Sequence, residues 1–188
     1  MGRWLSLWSV SSLVLLSFIS PAAGKTPIAD SDVIRLKGAF LYKFAHFVTW
    51  PDSTFADSAA PIVIGILGED PFGSFLDRAV AQRRAQERPL RIRRFAKIQN
   101  IETCHILFVS SSQASRLDKI VEFLKDRSIL TVADFADFAR RGGAVEFALL
   151  EDHMELRVNI DVVARAQLAL SSRLLKLVYI VKDEGNKE

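Results

Sequence analysis

An uninterrupted apolar segment at residues 61–67 limits the architectures open to this chain. It contains three isoleucines and a valine, and no polar side chain interrupts it. β-Branched residues favour strands, and a strand without polar alternation is typically buried on both of its faces. Such a strand predicts a largely parallel sheet with helices packed on each side.

Further strands and helices alternate along the chain. Mostly apolar segments at 105–109 and 129–132 predict another buried strand and a further short strand, and residues 90–95 alternate apolar residues with arginine, as a half-exposed strand does. Amphipathic patterns between these segments predict helices. We therefore predict an α/β fold: a single-domain, mixed, mainly parallel sheet covered by helices on both faces.

The C-terminal part has a different pattern. Residues 145–149 and 154–158 flank the polar turn Glu151-Asp152-His153, which predicts a C-terminal antiparallel hairpin at the edge of the sheet. A last helix is predicted from Asp161 onward. Its apolar stripe would be formed by Val163, Ala166, Leu170, Leu174, Leu177 and Val181.

The N-terminus predicts export. Arg3 precedes an uncharged stretch from Trp4 to Ile19, and small residues follow it up to Gly24. This is the pattern of a secretory signal peptide, and the apolar stretch is shorter than the roughly 20 residues that span a bilayer. We expect residues 1–24 to be a cleaved signal peptide, residues 25–188 to form the mature domain, and the protein to be periplasmic. An uncleaved membrane anchor is the alternative.

The charge balance argues against nucleic acid as a partner. The whole chain has 25 lysine and arginine residues against 22 aspartate and glutamate residues, whereas nucleic-acid binding needs a clustered basic excess. One basic cluster is present, and it is interpreted as a solvated helix end leading into a strand, with an anionic partner surface as the alternative. Its members are Arg83, Arg84, Arg88, Arg91, Arg93 and Arg94.

The sequence contains no pattern typical of catalysis. Gly65, Gly68 and Gly73 do not form a dinucleotide-binding motif, and the three histidines are far apart, without the spacing of zinc ligands. No serine lies in a nucleophile-elbow motif. We therefore predict a protein that is not an enzyme and has no cofactor and no metal site.

The chain contains one cysteine, Cys104, so it cannot form a disulfide within itself. Its apolar neighbours, Ile106, Leu107 and Phe108, place it at the start of a core strand. Free cysteine is among the most buried residue types, which favours an inert thiol. A disulfide between two chains is the alternative.

Two groups of residues are candidate binding sites. The predicted helix at residues 31–48 has an apolar arc wider than one packing face requires, and aromatic residues are common interface anchors. The candidate partner-binding residues are Tyr42, His46, Phe47 and Trp50. The aromatic rings could instead belong to the core. The second candidate is a ligand cleft at Asp70 and Phe72, after the first strand, where open α/β sheets bind ligands.

Four segments, in this order over nearly the whole mature chain, resemble the YfiR family of small periplasmic proteins. They are Leu41-Tyr42-Lys43-Phe44 with Phe47 and Trp50-Pro51; Gly68-Glu69-Asp70-Pro71-Phe72-Gly73; Cys104-His105-Ile106-Leu107-Phe108; and Asn159-Ile160 with Leu170-Ser171-Ser172-Arg173-Leu174-Leu175-Lys176-Leu177. Each segment is short, but the four together are specific.

The resemblance implies a function. Proteins of this kind are repressors that bind the periplasmic domain of an inner-membrane diguanylate cyclase, which lowers cyclic-di-GMP and biofilm formation. An OmpA-like outer-membrane lipoprotein can sequester the repressor. The cysteine pairs that make some members redox-sensitive are missing here, because the chain has only Cys104. The alternatives are a periplasmic small-ligand-binding module as the function and a homodimer as the assembly.

Overall fold

The computed structural model describes residues 30–151 and 153–182. The signal peptide predicted for residues 1–24 and the hairpin residue Asp152 lie outside the described residues. The helices are α1 (Asp30–Phe47), α2 (Ser74–Val80), α3 (Leu117–Leu124), α4 (Ile160–Arg165) and α5 (Ser172–Leu175). The strands are β1 (Val48–Thr49), β2 (Ile62–Leu67), β3 (Arg84–Ala85), β4 (Arg88–Phe95), β5 (Ile106–Val109), β6 (Leu130–Ala133), β7 (Val145–Leu149), β8 (Met154–Asn159), β9 (Ala169–Leu170) and β10 (Tyr179–Val181).

Eight of these strands form one sheet in the order β10-β8-β7-β6-β5-β2-β4-β3. Strand β2 lies between β4 and β5 and is parallel to both, and β5, β6 and β7 continue the parallel arrangement. After β2 the chain forms β4 on one side of this strand and then crosses over to form β5 on the other side. Strands β1 and β9 form a separate antiparallel pair.

The central strands have two buried faces because they separate two hydrophobic cores. Ile62, Ile64 and Ile66 of β2 pack in the core that also contains α1 residues such as Phe44. Leu67 belongs to the second core, which lies under α3. Every residue of β2 is buried, which explains the uninterrupted apolar pattern and confirms the predicted α/β class.

Gly65 is required in β2 by close packing. A Cβ atom at this position would lie 2.7 Å from the Sγ of Cys104 and 2.8 Å from the ring of Phe95. Such distances are shorter than van der Waals contact, so a larger residue would push apart the β2, β4 and β5 side chains.

The C-terminal prediction was correct for the hairpin and wrong for the last helix. β7 and β8 are antiparallel neighbours, but β10 pairs with β8 in parallel and occupies the edge instead. The continuous helix expected from Asp161 ends at Arg165. Gln167 has a left-handed φ of 58°, which redirects the backbone so that Leu170 pairs with Val48 of β1.

Asn159 joins this C-terminal region to the rest of the fold. Its Oδ1 accepts hydrogen bonds from the N–H groups of Asp161 and Val162, both at 3.1 Å, and thereby caps α4. Its Nδ2 donates to the carbonyl oxygen of Ala139 at 2.8 Å. The side chain is fully buried, so each of these bonds replaces one that water would otherwise make. Within the part of the chain that the structure describes, no helix is long and apolar enough to span a bilayer.

Candidate functional site

The outer face of α1 presents two rings in contact. Tyr42 and His46 are one helical turn apart, and their ring centroids lie 4.9 Å from each other at an interplanar angle of 79°. The guanidinium of Arg83 lies over the Tyr42 ring, 5.2 Å from its centroid. Tyr42 is half-buried and His46 is exposed. An aromatic ring and a cation are therefore held together on the surface.

The other two candidate partner-binding residues, Phe47 and Trp50, are more deeply buried. Phe47 is half-buried and packs against the core, and Trp50 is only 4% exposed. The Trp50 Nε1 donates a hydrogen bond to the carbonyl oxygen of His105 at 3.1 Å. The indole thus belongs to the core in this structure, and the accessible surface consists of Tyr42, His46 and part of Phe47.

The end of α1 is held firmly in place. The Gln86 Nε2 donates to the carbonyl oxygens of Ala45 at 2.8 Å and Val48 at 2.7 Å, which satisfies groups that a helix end leaves without partners. The N–H of Ser171 donates to the carbonyl oxygen of Phe47 at 2.8 Å. The surface near His46 is therefore preorganised.

At the other end of the apolar arc, Leu36 is 42% exposed, so the core does not cover the whole arc.

The Asp70–Phe72 loop uses its polar groups internally. The Asp70 Oδ1 accepts hydrogen bonds from the N–H groups of Phe72 at 2.7 Å and Gly73 at 3.2 Å. Its Oδ2 accepts from Arg94 Nε at 2.7 Å. α2 begins at Ser74, so Asp70 caps the turn that precedes this helix.

Arg94 extends this network to α2. Its Nη2 donates to the Asp77 Oδ2 at 2.6 Å, and this bond lowers the pKa of Asp77 below its ordinary value. The bonds to Asp77 and then Asp70 raise the pKa of Arg94. The Phe72 ring is buried and packs edge-on against Phe108 at 4.9 Å. Asp70 and Phe72 thus form a closed loop, with the carboxylate already paired.

A cleft that was not predicted from the sequence lies at the amino ends of β2 and β4. Its volume is about 410 Å³, which is within the usual range for small-molecule sites. The described residues that line it are Ser53, Thr54, Phe55, Ala56, Ala60, Pro61, Val63, Arg91, Arg93, Thr103 and His105. The only sequence signal for it was the arginine alternation in β4, since the other residues come from separate segments.

His105 forms one wall of this cleft and is almost completely buried. Its Nδ1 accepts a hydrogen bond from the Val63 N–H at 3.0 Å, so the neutral ring carries its proton on Nε2. Burial lowers the pKa of His105 to about 4, and the charge of Arg88 acts in the same direction. The backbone of Thr54 acts in the opposite direction and raises this pKa. It makes no hydrogen bond to the ring, because the buried Nε2 of His105 has no hydrogen-bond partner among the described residues.

Phe55 holds this wall in place through two face contacts. The His105 ring is stacked on it with a centroid distance of 4.5 Å, and the Arg88 guanidinium lies 3.8 Å from the Phe55 centroid. Because both groups approach the face of the ring this closely, they occupy opposite sides of it. Arg88 Nη1 also donates to the carbonyl oxygens of Asp57 and Ala60, which fastens the loop.

Cys104 is buried, as predicted. Desolvation raises the pKa of its thiol to about 12, and the Sγ lies 3.1 Å from the carbonyl oxygen of Ile106. A thiol that stays protonated at neutral pH is a poor nucleophile. Across residues 30–151 and 153–182, no three His, Cys, Asp or Glu side chains come together in a way that could hold a metal ion.

Comparison with known proteins identifies the family. The sequence profile of the YfiR/HmsC-like family matches residues 34–178, which is most of the chain. The chain belongs to the YfiR/HmsC-like family. Proteins of this family are periplasmic regulators rather than enzymes, and membership supports a role in the regulation of a diguanylate cyclase. No curated protein matches the chain directly.

Among solved structures, the fold is similar to the ligand-free, open structure of CD0873, a substrate binding protein with adhesive properties from Clostridium difficile. The TM-score is 0.51 at 13% sequence identity, and the match covers 85% of this chain. The chain spans 62% of the length of that protein. At this identity the similarity concerns the fold alone.

Proposed function

We propose that this protein is a non-enzymatic periplasmic repressor. It binds the periplasmic domain of an inner-membrane diguanylate cyclase and holds the enzyme in an inactive conformation, which lowers cyclic-di-GMP and biofilm formation. The observation that carries the proposal is the family match over residues 34–178. An OmpA-like outer-membrane lipoprotein would relieve repression by sequestering the protein.

Such a repressor performs no chemistry. It shifts the cyclase between two states only by the difference in its affinity for them, so a well-shaped contact surface is sufficient. The lipoprotein needs no separate mechanism, because a repressor bound elsewhere is no longer available to the cyclase.

We place the contact on α1, around Tyr42, His46 and the accessible part of Phe47. Aromatic and arginine side chains dominate the binding energy of many interfaces, and this surface combines Tyr42 with the cation of Arg83. The helix end is fixed by Gln86, so little conformational entropy is lost on binding. Trp50 would support this surface from the core rather than contact the partner.

The test is the double substitution Tyr42→Ala/His46→Ala. Loss of interface anchors commonly costs about 2 kcal/mol or more, which is about thirtyfold in affinity. Neither side chain is fully buried, so we expect a melting temperature near that of the wild type. Cyclic-di-GMP in cells should nevertheless rise.

A matched control exists on the other face of the sheet. Lys119 and Phe123 of α3 are also one helical turn apart, and Arg127 lies over the Phe123 ring at 4.4 Å. Lys119→Ala/Phe123→Ala should leave repression intact if the protein still folds. Wild-type cyclic-di-GMP levels in cells with stable Tyr42→Ala/His46→Ala protein would remove α1 from consideration.

The second candidate function is that of a periplasmic small-ligand-binding module with its cleft at Asp70 and Phe72. The fold similarity to a substrate binding protein favours it, as does the position of the loop at the carboxyl end of β2. A ligand there would have to displace Arg94 from Asp70. Arg94→Ala should then strengthen the stabilisation that a bound ligand gives in thermal unfolding, whereas an unchanged shift would argue against this location.

A further inference from the structure

The cleft between β4 and the 53–60 loop has an unusual distribution of charge. Arg91 and Arg93 both line it, and residues two apart on a strand point to the same face. No aspartate or glutamate is among its described lining residues. Within residues 30–151 and 153–182, neither of these two guanidiniums is paired with a carboxylate.

Arg94 on the same strand shows that carboxylates are available nearby. It points to the opposite face and pairs with both Asp70 and Asp77. Arg94 therefore lies beside two carboxylates, whereas no aspartate or glutamate is among the described residues that line the cleft with Arg91 and Arg93. Two unpaired cations at the mouth of a concave site attract an anion.

The remaining walls suggest what the anion is attached to. Phe55, Pro61 and Val63 supply apolar surface, and Phe55 is clamped between His105 and Arg88. His105 lies behind the Phe55 ring, and its Nε2 is buried.

We propose that this cleft binds a small organic anion, a phosphate or carboxylate attached to an apolar body. Arg91 and Arg93 bind the charged group, and the Phe55 side of the cleft binds the body. The site is separate from the α1 surface, and the proposal does not depend on repression of a cyclase.

Isothermal titration calorimetry of the protein purified from the periplasmic fraction tests this proposal with three probes. Phenyl phosphate carries the charge and an apolar body, inorganic phosphate carries the charge alone, and phenol carries the body alone. We expect saturable binding of phenyl phosphate with a Kd below about 1 mM and weaker binding of inorganic phosphate. Absence of saturable phenyl phosphate binding, or equally tight binding of phenol, would overturn the proposal.

A charge-matched pair of variants locates the site. Arg91→Ala/Arg93→Ala removes two exposed positive charges from the cleft, and Arg116→Ala/Arg173→Ala removes two exposed charges elsewhere. Charge-assisted hydrogen bonds are strong enough that the first variant should lose at least tenfold in affinity for phenyl phosphate. The second should keep wild-type affinity, and an equal loss in both would mean non-specific attraction and would refute the site.

Discussion

The buried ring of His105 makes the stability of the protein sensitive to acid. Its pKa in the folded protein is about 4, whereas an ordinary histidine, as in the unfolded chain, titrates near 6.5. Between these values the unfolded chain binds the proton and the folded protein does not. Acid therefore favours unfolding, and stability falls as the pH decreases from about 6.5 to about 4.

The size of the effect follows from the same two values. Their difference corresponds to about 3 kcal/mol once the pH is below both. About 2 kcal/mol of this is already lost at pH 5 relative to pH 7. For a domain of this size, such a loss is a large fraction of a typical free energy of unfolding.

The matched variant is His105→Asn, whose Oδ1 can still accept the hydrogen bond from the Val63 N–H but does not titrate. Urea unfolding of both proteins at pH 7 and pH 5 gives the four free energies required. The other titratable groups are common to both proteins and cancel in the comparison. We expect the wild type to lose about 2 kcal/mol more than the variant between these pH values. Equal losses would show that the pKa of His105 is not lowered in the folded protein and would contradict this prediction.

Three further predictions concern single features of the chain. Asn159→Ala removes the cap of α4 and leaves the Ala139 carbonyl without its donor, so it should cost about 2–4 kcal/mol in urea unfolding, whereas Asn100→Ala at an exposed position should cost little. The Cys104 thiol should resist a thiol reagent at pH 8 until the protein unfolds, and Cys104→Ser should change stability modestly; a dominant disulfide-linked dimer on non-reducing gels would contradict this. Mass spectrometry of a periplasmic extract should find an N-terminus near Lys25, and an intact Met1 on a membrane-bound species would contradict the predicted signal peptide.

The parts of the fold that the sequence predicted correctly have patterns written in consecutive residues. The buried strand β2, the half-exposed β4 and the hairpin of β7 and β8 all follow from hydrophobic periodicity. The helix expected after Asp161 is shorter than predicted, because the apolar residues assigned to its stripe belong to several different elements. Val163 belongs to α4, Leu170 pairs with Val48, and Val181 lies in an edge strand.

The functional surfaces were harder to predict because they depend on contacts between distant segments. Tyr42 and His46 are four residues apart in α1, so helical spacing alone indicates that they lie on the same side of the helix. The burial of Trp50 depends on His105, 55 residues away. The cleft needs Phe55, Arg91 and His105 to meet, and no local pattern indicates that they do.

Repression of a membrane diguanylate cyclase is the function proposed for this protein. Cyclic-di-GMP extracted from cells that lack the protein, and from the same cells with the wild-type protein restored, tests that claim most directly. We expect a higher level in the deleted cells and a return to the original level on restoration. An unchanged or lower level in the deleted cells would contradict it.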